Sequence, residues 1–141
     1  MNIIKINDEN IYLVNEFIEN AGISLKRFRY FDKRKISIVL GHISAFVLME
    51  VDKVIGYCHL EKENDLIWLG IAIIEKKIGM GFGNILIKHL IKEAEEKQIK
   101  EINLSVDKDN IKAISLYEKF GFKFKSETRK NIFYEYNIEQ Q

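Results

Sequence analysis

Apolar positions along this chain fall into short strand-like runs and longer stretches with helical spacing. Residues 66–74 (LIWLGIAII) are almost entirely apolar and follow a polar cluster at 61–65, a pattern typical of a buried strand. Residues 85–97 carry apolar side chains every three or four positions, which predicts an amphipathic helix. A strand and a helix are therefore predicted on either side of a short loop.

The same patterns divide the rest of the chain into strands and helices. A helix is predicted at 11–21 with Asp8 as its cap, and residues 24–41 form a poorly patterned, basic and aromatic segment. Asp52 and Lys53 are predicted to connect two strands as a two-residue hairpin turn. Residues 123–129 and 132–138 are predicted to form a final hairpin. The other predicted strands are residues 3–6, 44–51, 54–61 and 102–106.

The loop between the first strand and helix described above is rich in glycine, with the sequence IGMGFGN at 78–84. Glycines let the backbone turn tightly and let its N–H groups approach a ligand. The start of a helix favours a bound phosphate, and no acidic side chain lies in this first turn. A P-loop is excluded because no Lys-Ser or Lys-Thr pair follows, and a GxGxG spacing in mid-chain fits a dinucleotide fold poorly. A glycine turn without a ligand is the alternative.

A second motif, DKDNIKAISLYEKFGF, spans residues 107–122 and follows a strand-like run. Asp109 or Asn110 is a suitable N-cap, and Gly121 is a suitable helix terminator. The motif therefore predicts a helix between these residues.

The two motifs together resemble those of the GCN5-related N-acetyltransferase (GNAT) family, which are Q/R-x-x-G-x-G/A and N-x-x-A-x-x-L-Y-x-x-x-G-F. Residues 78–83 match the first motif, although Ile78 replaces its Gln or Arg. The matches to the second are Asn110, Ala113, Leu116, Tyr117, Gly121 and Phe122. The resemblance implies one α/β (α+β) domain over residues 1–141. Its GNAT fold would have a single mixed, mostly antiparallel sheet of about six to seven strands, with a splayed parallel pair and about four flanking helices.

The resemblance further implies acetyl-CoA as a cosubstrate, with its pantetheine arm between the strands at 66–74 and 102–106. Gly70 is expected either at a bulge of the splayed strand or at a position of close packing. Because Ile78 has no side-chain donor, either cofactor binding is weaker or Lys76 or Lys77 provides the missing charge. The expected cofactor-binding residues are Ile71, Ala72, Ile73, Ile78, Gly79, Met80, Gly81, Phe82, Gly83, Asn84, Asn110 and Tyr117.

The implied reaction is direct transfer of an acetyl group to a primary amine. Tyr117 aligns with the family's tyrosine at the leaving sulfur, where it would be a general acid, and its alternative role is an aromatic of the core. Glu61 or His59 would be the general base that takes a proton from the amine. The two residues lie two positions apart on one predicted strand and therefore share a face. Asp65 and Glu50 are weaker candidates, and a water chain without a dedicated base is a further alternative.

The acceptor is expected to be a small-molecule amine, with an amino sugar as one candidate. Amino acids, polyamines, antibiotics and a protein or peptide amine remain open as others. The residues expected to bind it are Arg27, Phe28, Arg29, Tyr30 and Trp68, although the basic ones also suit a solvated surface. A non-catalytic acyl-CoA-binding or sensing domain and a structural interaction module remain the alternatives to an enzyme.

The composition of the chain limits the classes of partner and cofactor that are expected. With 22 basic and 21 acidic residues, the net charge of +1 argues against a nucleic acid as the main partner. No apolar run approaches the roughly 20 residues of a membrane span, and no signal peptide is expected. The lone Cys58 suits a core position and a cytoplasmic protein. The three histidines lie far apart in sequence, so no metal is predicted, and a homodimer is compatible with the family although no interface is identified.

Overall fold

A single mixed sheet of seven strands forms the centre of the computed structural model, which describes residues 1–138. The strands are β1 (Asn2–Lys5), β2 (Ser44–Glu50), β3 (Lys53–Glu63), β4 (Leu66–Ile73), β5 (Glu101–Asp107), β6 (Lys123–Glu127) and β7 (Asn131–Asn137). Their order across the sheet is β1-β2-β3-β4-β5-β7-β6, and each neighbouring pair is antiparallel except β4–β5. This architecture confirms the predicted fold class.

Three α-helices and three short 3₁₀ helices flank the described sheet, where about four helices were expected. The α-helices are α1 (Tyr12–Ala21), α2 (Phe82–Glu96) and α3 (Ile111–Lys119), and the 3₁₀ helices are Gly22–Lys26, Ile36–Gly41 and Glu75–Lys77. Phe17 of α1 packs on Tyr57, whereas Leu86 of α2 lies against Gly56, so the two helices cover opposite faces of β3. None of these helices is long and apolar enough to cross a membrane.

The parallel strands β4 and β5 diverge along their length. They are paired only at Trp68 and Asn103. Beyond this point β4 continues along β3 to Ile73, while β5 continues along β7 to Asp107. The divergence confirms the predicted splay and leaves backbone groups of β4 without a neighbouring strand.

The start of α1 differs from the prediction that Asp8 caps it. The helix begins at Tyr12, and its N-cap residue, Ile11, makes no side-chain cap. Instead, the Asn7 side-chain oxygen accepts hydrogen bonds from the backbone of Glu9 and Asn10, at 2.8 and 3.0 Å. The polar residues before the helix thus stabilise a separate turn, because asparagine side chains readily bond to nearby backbone N–H groups.

The β2–β3 turn is also shifted by one residue. Glu50 pairs with Lys53, so Val51 and Asp52 form the turn where Asp52 and Lys53 were predicted. Val51 adopts a positive φ of 59°. The register shifts between Leu48 and Met49, where β3 carries one extra residue, and this bulge moves Lys53 into the ladder.

Gly70 lies in regular β4 structure, which makes the predicted bulge wrong. The pairing of β3 with β4 runs without a shift from Glu63↔Leu66 to Gly56↔Ile73. The alternative of close packing is confirmed, since a Cβ atom at Gly70 would lie 2.6 Å from Nε2 of His59. Gly70 therefore makes space for the imidazole on the neighbouring strand.

Substitution Gly70→Ala is expected to lower the free energy of unfolding by about 1–3 kcal/mol, because the buried His59 ring must move. Urea unfolding would measure the change. Gly41→Ala is the control, since a Cβ at Gly41 would have nothing within 4 Å. Equal stability of the two variants would contradict the close-packing role.

Cys58 belongs to the hydrophobic core, as predicted. Its side chain is fully buried on β3, and burial raises the pKa of the thiol. A buried, protonated thiol is a poor nucleophile. Chemistry at Cys58 is therefore not expected.

Candidate functional site

A cleft of about 1180 Å³ opens where β4 and β5 separate. The glycine loop and the segment after α1, around Phe28, both line it. The side of the cleft includes β4 residues from Trp68 to Ile73 and Tyr117 of α3. The fold thus brings the two sequence motifs to one continuous surface.

The backbone of the glycine loop adopts a conformation that residues with a Cβ atom disfavour. Gly79 and Gly81 have φ angles of 81° and 88°, in the left-handed region. Gly81 is the N-cap of α2 and provides no side-chain cap, so the first N–H groups of the helix face the loop. Gly83 has a different role, since a Cβ there would lie 3.1 Å from Cδ2 of Leu116, so α2 and α3 pack closely at this glycine.

The other predicted residues of this loop are partly or largely accessible. Ile78 and Met80 expose 46% and 62% of their surface, and Ile78, Phe82 and Asn84 line the cleft. Lys77 also lines it and forms an ion pair of 2.7 Å with Glu50. Glu50, a weaker candidate for the general base, is therefore engaged by a lysine.

The backbone of β4 alternates between β3 and the cleft. The N–H of Ile74 donates to Ile55 of β3 at 3.0 Å, so Ala72 also directs its backbone groups toward β3. The same alternation directs the backbone groups of Ile71 and Ile73 into the cleft. Ser24 Oγ donates to the Ile73 carbonyl at 2.5 Å. Ile71 is therefore the best placed of the three predicted strand residues to pair with an extended ligand.

Both ends of α3 follow the sequence prediction. Asn110 is the N-cap, and its side-chain oxygen accepts from the Ala113 N–H at 3.4 Å. Gly121 has a φ of 98° and ends the helix, with the Phe122 N–H donating to the Tyr117 carbonyl. The alternative cap, Asp109, forms an ion pair with Arg27 instead.

Tyr117 combines core packing with access to the cleft. Its side chain is buried against Phe122, with ring centroids 5.7 Å apart, and it lines the cleft. Burial raises the pKa of the phenol to about 12. The group is therefore a protonated hydrogen-bond donor at neutral pH, as a general acid near a leaving sulfur requires.

Glu61 accepts a short hydrogen bond in the part of the cleft that Phe28 and Tyr30 line. The Tyr30 hydroxyl donates to Glu61 Oε2 at 2.6 Å and lies 2.8 Å from Nε2 of His42. Burial lowers the pKa of the His42 imidazole. The Arg34 guanidinium covers the Tyr30 ring at 4.2 Å.

Sequence reasoning missed His42, because it precedes β2 and lies 19 positions from Glu61 along the chain. The strand register brings the two together, since Ser44 pairs with Leu60. The predicted hairpin already pairs the strand after His42 with the strand of Glu61. Only the correct register shows that these two residues lie close together.

His59, the other candidate base, is almost completely enclosed. It is 2% exposed, and its Nδ1 lies 2.8 Å from the Tyr57 hydroxyl. Burial holds the pKa of His59 well below its usual value. Its neutral ring is a weak proton acceptor, and Glu61 is more accessible.

The predicted acceptor-binding residues all line the cleft. Phe28 packs on Tyr30 and Tyr57, with centroids 6.1 and 5.8 Å apart, and Trp68 lies against Phe133. Arg29 pairs with Asp107 at 3.0 Å, and Arg27 pairs with Asp107 and Asp109.

Asp107 was missed as a site residue, although it ends β5 and is the first residue of the second motif. The hydrogen bond from Arg29 holds the pKa of the Asp107 carboxyl below its usual value. The two arginines thus tie the segment after α1 to the end of β5.

An open gap in a mixed sheet, a glycine loop at the start of a helix and a tyrosine beside the gap are features of the N-acetyltransferase fold. The model of the family described as Acetyltransferase (GNAT) family matches residues 12–122. The chain belongs to this family, as the resemblance of the two motifs predicted.

Known proteins agree with this assignment. Spermine/spermidine N(1)-acetyltransferase of Bacillus subtilis is 39% identical over 69 residues, which are 48% of this chain and 45% of that protein. The match thus spans about half the length of the curated relative. The PaiA N-acetyltransferase of Thermoplasma acidophilum, solved with coenzyme A, has a TM-score of 0.76 at 19% identity over 96% of this chain and 98% of that chain. The ribosomal-protein-S18-alanine N-acetyltransferase of Escherichia coli has a TM-score of 0.72 at 20% identity, over 97% and 93%. These structures show a shared fold.

Proposed function

We propose that this protein is a cytoplasmic N-acetyltransferase that moves the acetyl group of acetyl-CoA directly to a primary amine of a small molecule. One observation carries the proposal: the gap between β4 and β5 connects the glycine loop at the start of α2 with the protonated Tyr117. A phosphate-bearing thioester could reach both groups at once.

The chain offers suitable partners along the length of such a ligand. The N–H groups from Gly79 to Asn84 suit the pyrophosphate, since the start of α2 has no acidic residue or side-chain cap. The backbone of Ile71 can pair with pantetheine amides as a strand would. Tyr117 would then face the sulfur.

Glu61 and Tyr117 have the two roles in proton transfer. Glu61 takes a proton from the ammonium form of the acceptor, directly or through water, while the Tyr30 hydroxyl holds its carboxylate in place. The neutral amine forms a bond to the thioester carbon, and the bond from that carbon to sulfur breaks. Tyr117 stabilises or protonates the departing thiolate. The extra proton on the new amide nitrogen is released to water, which also returns a proton to Tyr117 where the tyrosine has given up its own.

Two carboxylates suit a cationic amine in the part of the cleft lined by Phe28 and Tyr30, which we call the acceptor end. Glu61 and Glu63 line the cleft beside the ring of Trp68, and aromatic faces attract cations. The Tyr30 ring is already covered by the guanidinium of Arg34, which also lines the cleft. The nearby Arg27 and Arg29 are already paired with aspartates. We therefore place a linear polyamine first among acceptors, in line with the relative's name, and an amino sugar second.

Acetyl-CoA at about 100 times its dissociation constant is expected to stabilise the protein by about 2.7 kcal/mol. For a domain of this size, the thermal midpoint should rise by roughly 5 to 10 °C. Thermal unfolding with acetyl-CoA, coenzyme A and NAD measures this, and NAD should produce no rise. The absence of a rise with acetyl-CoA and coenzyme A would contradict the proposal and favour an interaction module.

A pair of glycine variants separates binding from folding in this experiment. Gly81→Ala opposes the positive φ of the loop and should reduce the acetyl-CoA-induced rise by at least half. Gly41→Ala, outside the loop and without nearby atoms, should keep the full rise. Each rise is taken relative to the same variant without ligand. Equal acetyl-CoA-induced rises in the two variants would contradict a role of the glycine loop in cofactor binding.

A further inference from the structure

Two histidines and a glutamate converge beside the acceptor end of the cleft. His42 precedes β2, whereas His59 and Glu61 lie two positions apart on β3. One ring nitrogen of each histidine and one carboxylate oxygen of Glu61 all lie within 4.8 Å of one another. We call these three residues the His-His-Glu cluster. Because His42 lies 17 and 19 positions from the other two residues, the spacing of the histidines in the sequence does not indicate this cluster.

The donor atoms of the cluster match the preferences of a borderline transition metal ion. Imidazole nitrogen and carboxylate oxygen are the ligands of many zinc sites with two histidines and one carboxylate. Such ligands lie about 2.0–2.2 Å from the ion, so binding would draw the three groups together by roughly 1 Å. His42 and Glu61 are only half-buried and can make this adjustment.

Neighbouring groups already orient the cluster. The Tyr57 hydroxyl lies 2.8 Å from Nδ1 of His59, which leaves Nε2 as the ring's coordinating atom. Gly70 makes room beside that Nε2, because any Cβ would lie 2.6 Å from it. The Tyr30 hydroxyl bridges His42 and Glu61 with contacts of 2.8 and 2.6 Å. A phenol there could become a fourth ligand or be displaced.

We propose that the His-His-Glu cluster is a binding site for a divalent transition metal ion such as Zn²⁺. The proposed acetyl transfer needs no metal, so the ion would have a regulatory role. Because His59 and Glu61 line the cleft, a bound ion would occupy the acceptor end and remove Glu61 from proton transfer. Zn²⁺ should then inhibit competitively with the amine. This inhibition rests on the proposed function, but the binding of the ion does not.

Equilibrium dialysis of the untagged protein against Zn²⁺, followed by elemental analysis, tests the site directly. The wild type should retain about one ion per chain, and His42→Ala and Glu61→Gln should each weaken binding at least tenfold. His89→Ala is the matched control, because His89 lies on α2 with its ring against Phe46, on the other face of the sheet. This variant should bind like the wild type.

Cobalt provides a second readout that requires no turnover. Co²⁺ bound by the cluster should give visible absorption bands that disappear in His42→Ala and persist in His89→Ala. Circular dichroism would confirm that each variant is folded. Absence of Zn²⁺ retention by the wild type, or equal loss in His42→Ala and His89→Ala, would overturn the site. If the protein retains Zn²⁺ but the ion does not inhibit acetyl transfer, only the regulatory role of the site is overturned. If the protein has no transferase activity but retains Zn²⁺, the metal site stands and the proposed function fails.

Discussion

Substitution Glu61→Gln is expected to lower kcat/KM for the amine acceptor by about 10²- to 10³-fold, the lower part of the range typical for general acid–base catalysis. The amide keeps the size of the side chain and can still accept the Tyr30 hydrogen bond, which measures 2.6 Å in the wild type. It cannot take a proton from an ammonium group. Initial rates at saturating acetyl-CoA, with a polyamine and an amino sugar as acceptors, measure the loss.

Glu63→Gln is the matched control for this prediction. Glu63 lies two positions further along β3 and also lines the cleft, but it is more exposed than Glu61. Its loss should change kcat/KM less than tenfold, mainly through KM for a cationic acceptor. The acetyl-CoA-induced thermal shift should persist in both variants. A rate for Glu61→Gln close to that of the wild type would contradict Glu61 as the general base and favour His59 or a water chain.

Substitution Tyr117→Phe is expected to reduce kcat by about ten- to a hundredfold while the acetyl-CoA-induced thermal shift is retained. The ring keeps its packing on Phe122, and only the hydroxyl donor at the leaving sulfur is lost. Because burial raises the pKa of Tyr117 to about 12, the wild-type phenol stays protonated throughout an ordinary assay range. Rates at several pH values should therefore show the same proportional loss.

Tyr134→Phe serves as the control for Tyr117. Tyr134 is a buried tyrosine of β7 whose pKa is also raised to about 12, and its hydroxyl donates to Glu118 at 2.8 Å. Its removal should affect stability more than kcat. If Tyr117→Phe turns over as fast as the wild type, Tyr117 is only a core aromatic. If the wild type binds acetyl-CoA but acetylates no amine in a broad panel, the acyl-CoA-sensing alternative is favoured.

Regions where the prediction succeeded depend on interactions within a few residues. Asn110 caps α3 through the Ala113 N–H, and Gly121 ends that helix, so both contacts can be read from a short stretch of sequence. The same holds for the two left-handed glycines of the loop, whose conformation disfavours other residues.

Errors arose where a neighbouring strand or a competing turn decided the outcome. The extra residue of β3 moved the turn to Val51 and Asp52, and no local pattern marks that bulge. Gly70 has no bulge because the His59 ring of the adjacent strand takes the space of its side chain. Near α1, Asn7 forms its own turn and leaves Asp8 without the predicted cap.

The sequence by itself determined the family, the order of the strands and helices, and the loop and helix that flank the cleft. These features follow from hydrophobic periodicity and from backbone preferences of single residues, which act locally. Only the tertiary structure decided how the acceptor end is built: it brings His42 and Tyr30 to Glu61, and pairs Arg27 with Asp109 across 82 positions. Such contacts depend on strand register and on how distant segments fold over the sheet, and a one-residue shift moves a side chain to the other face.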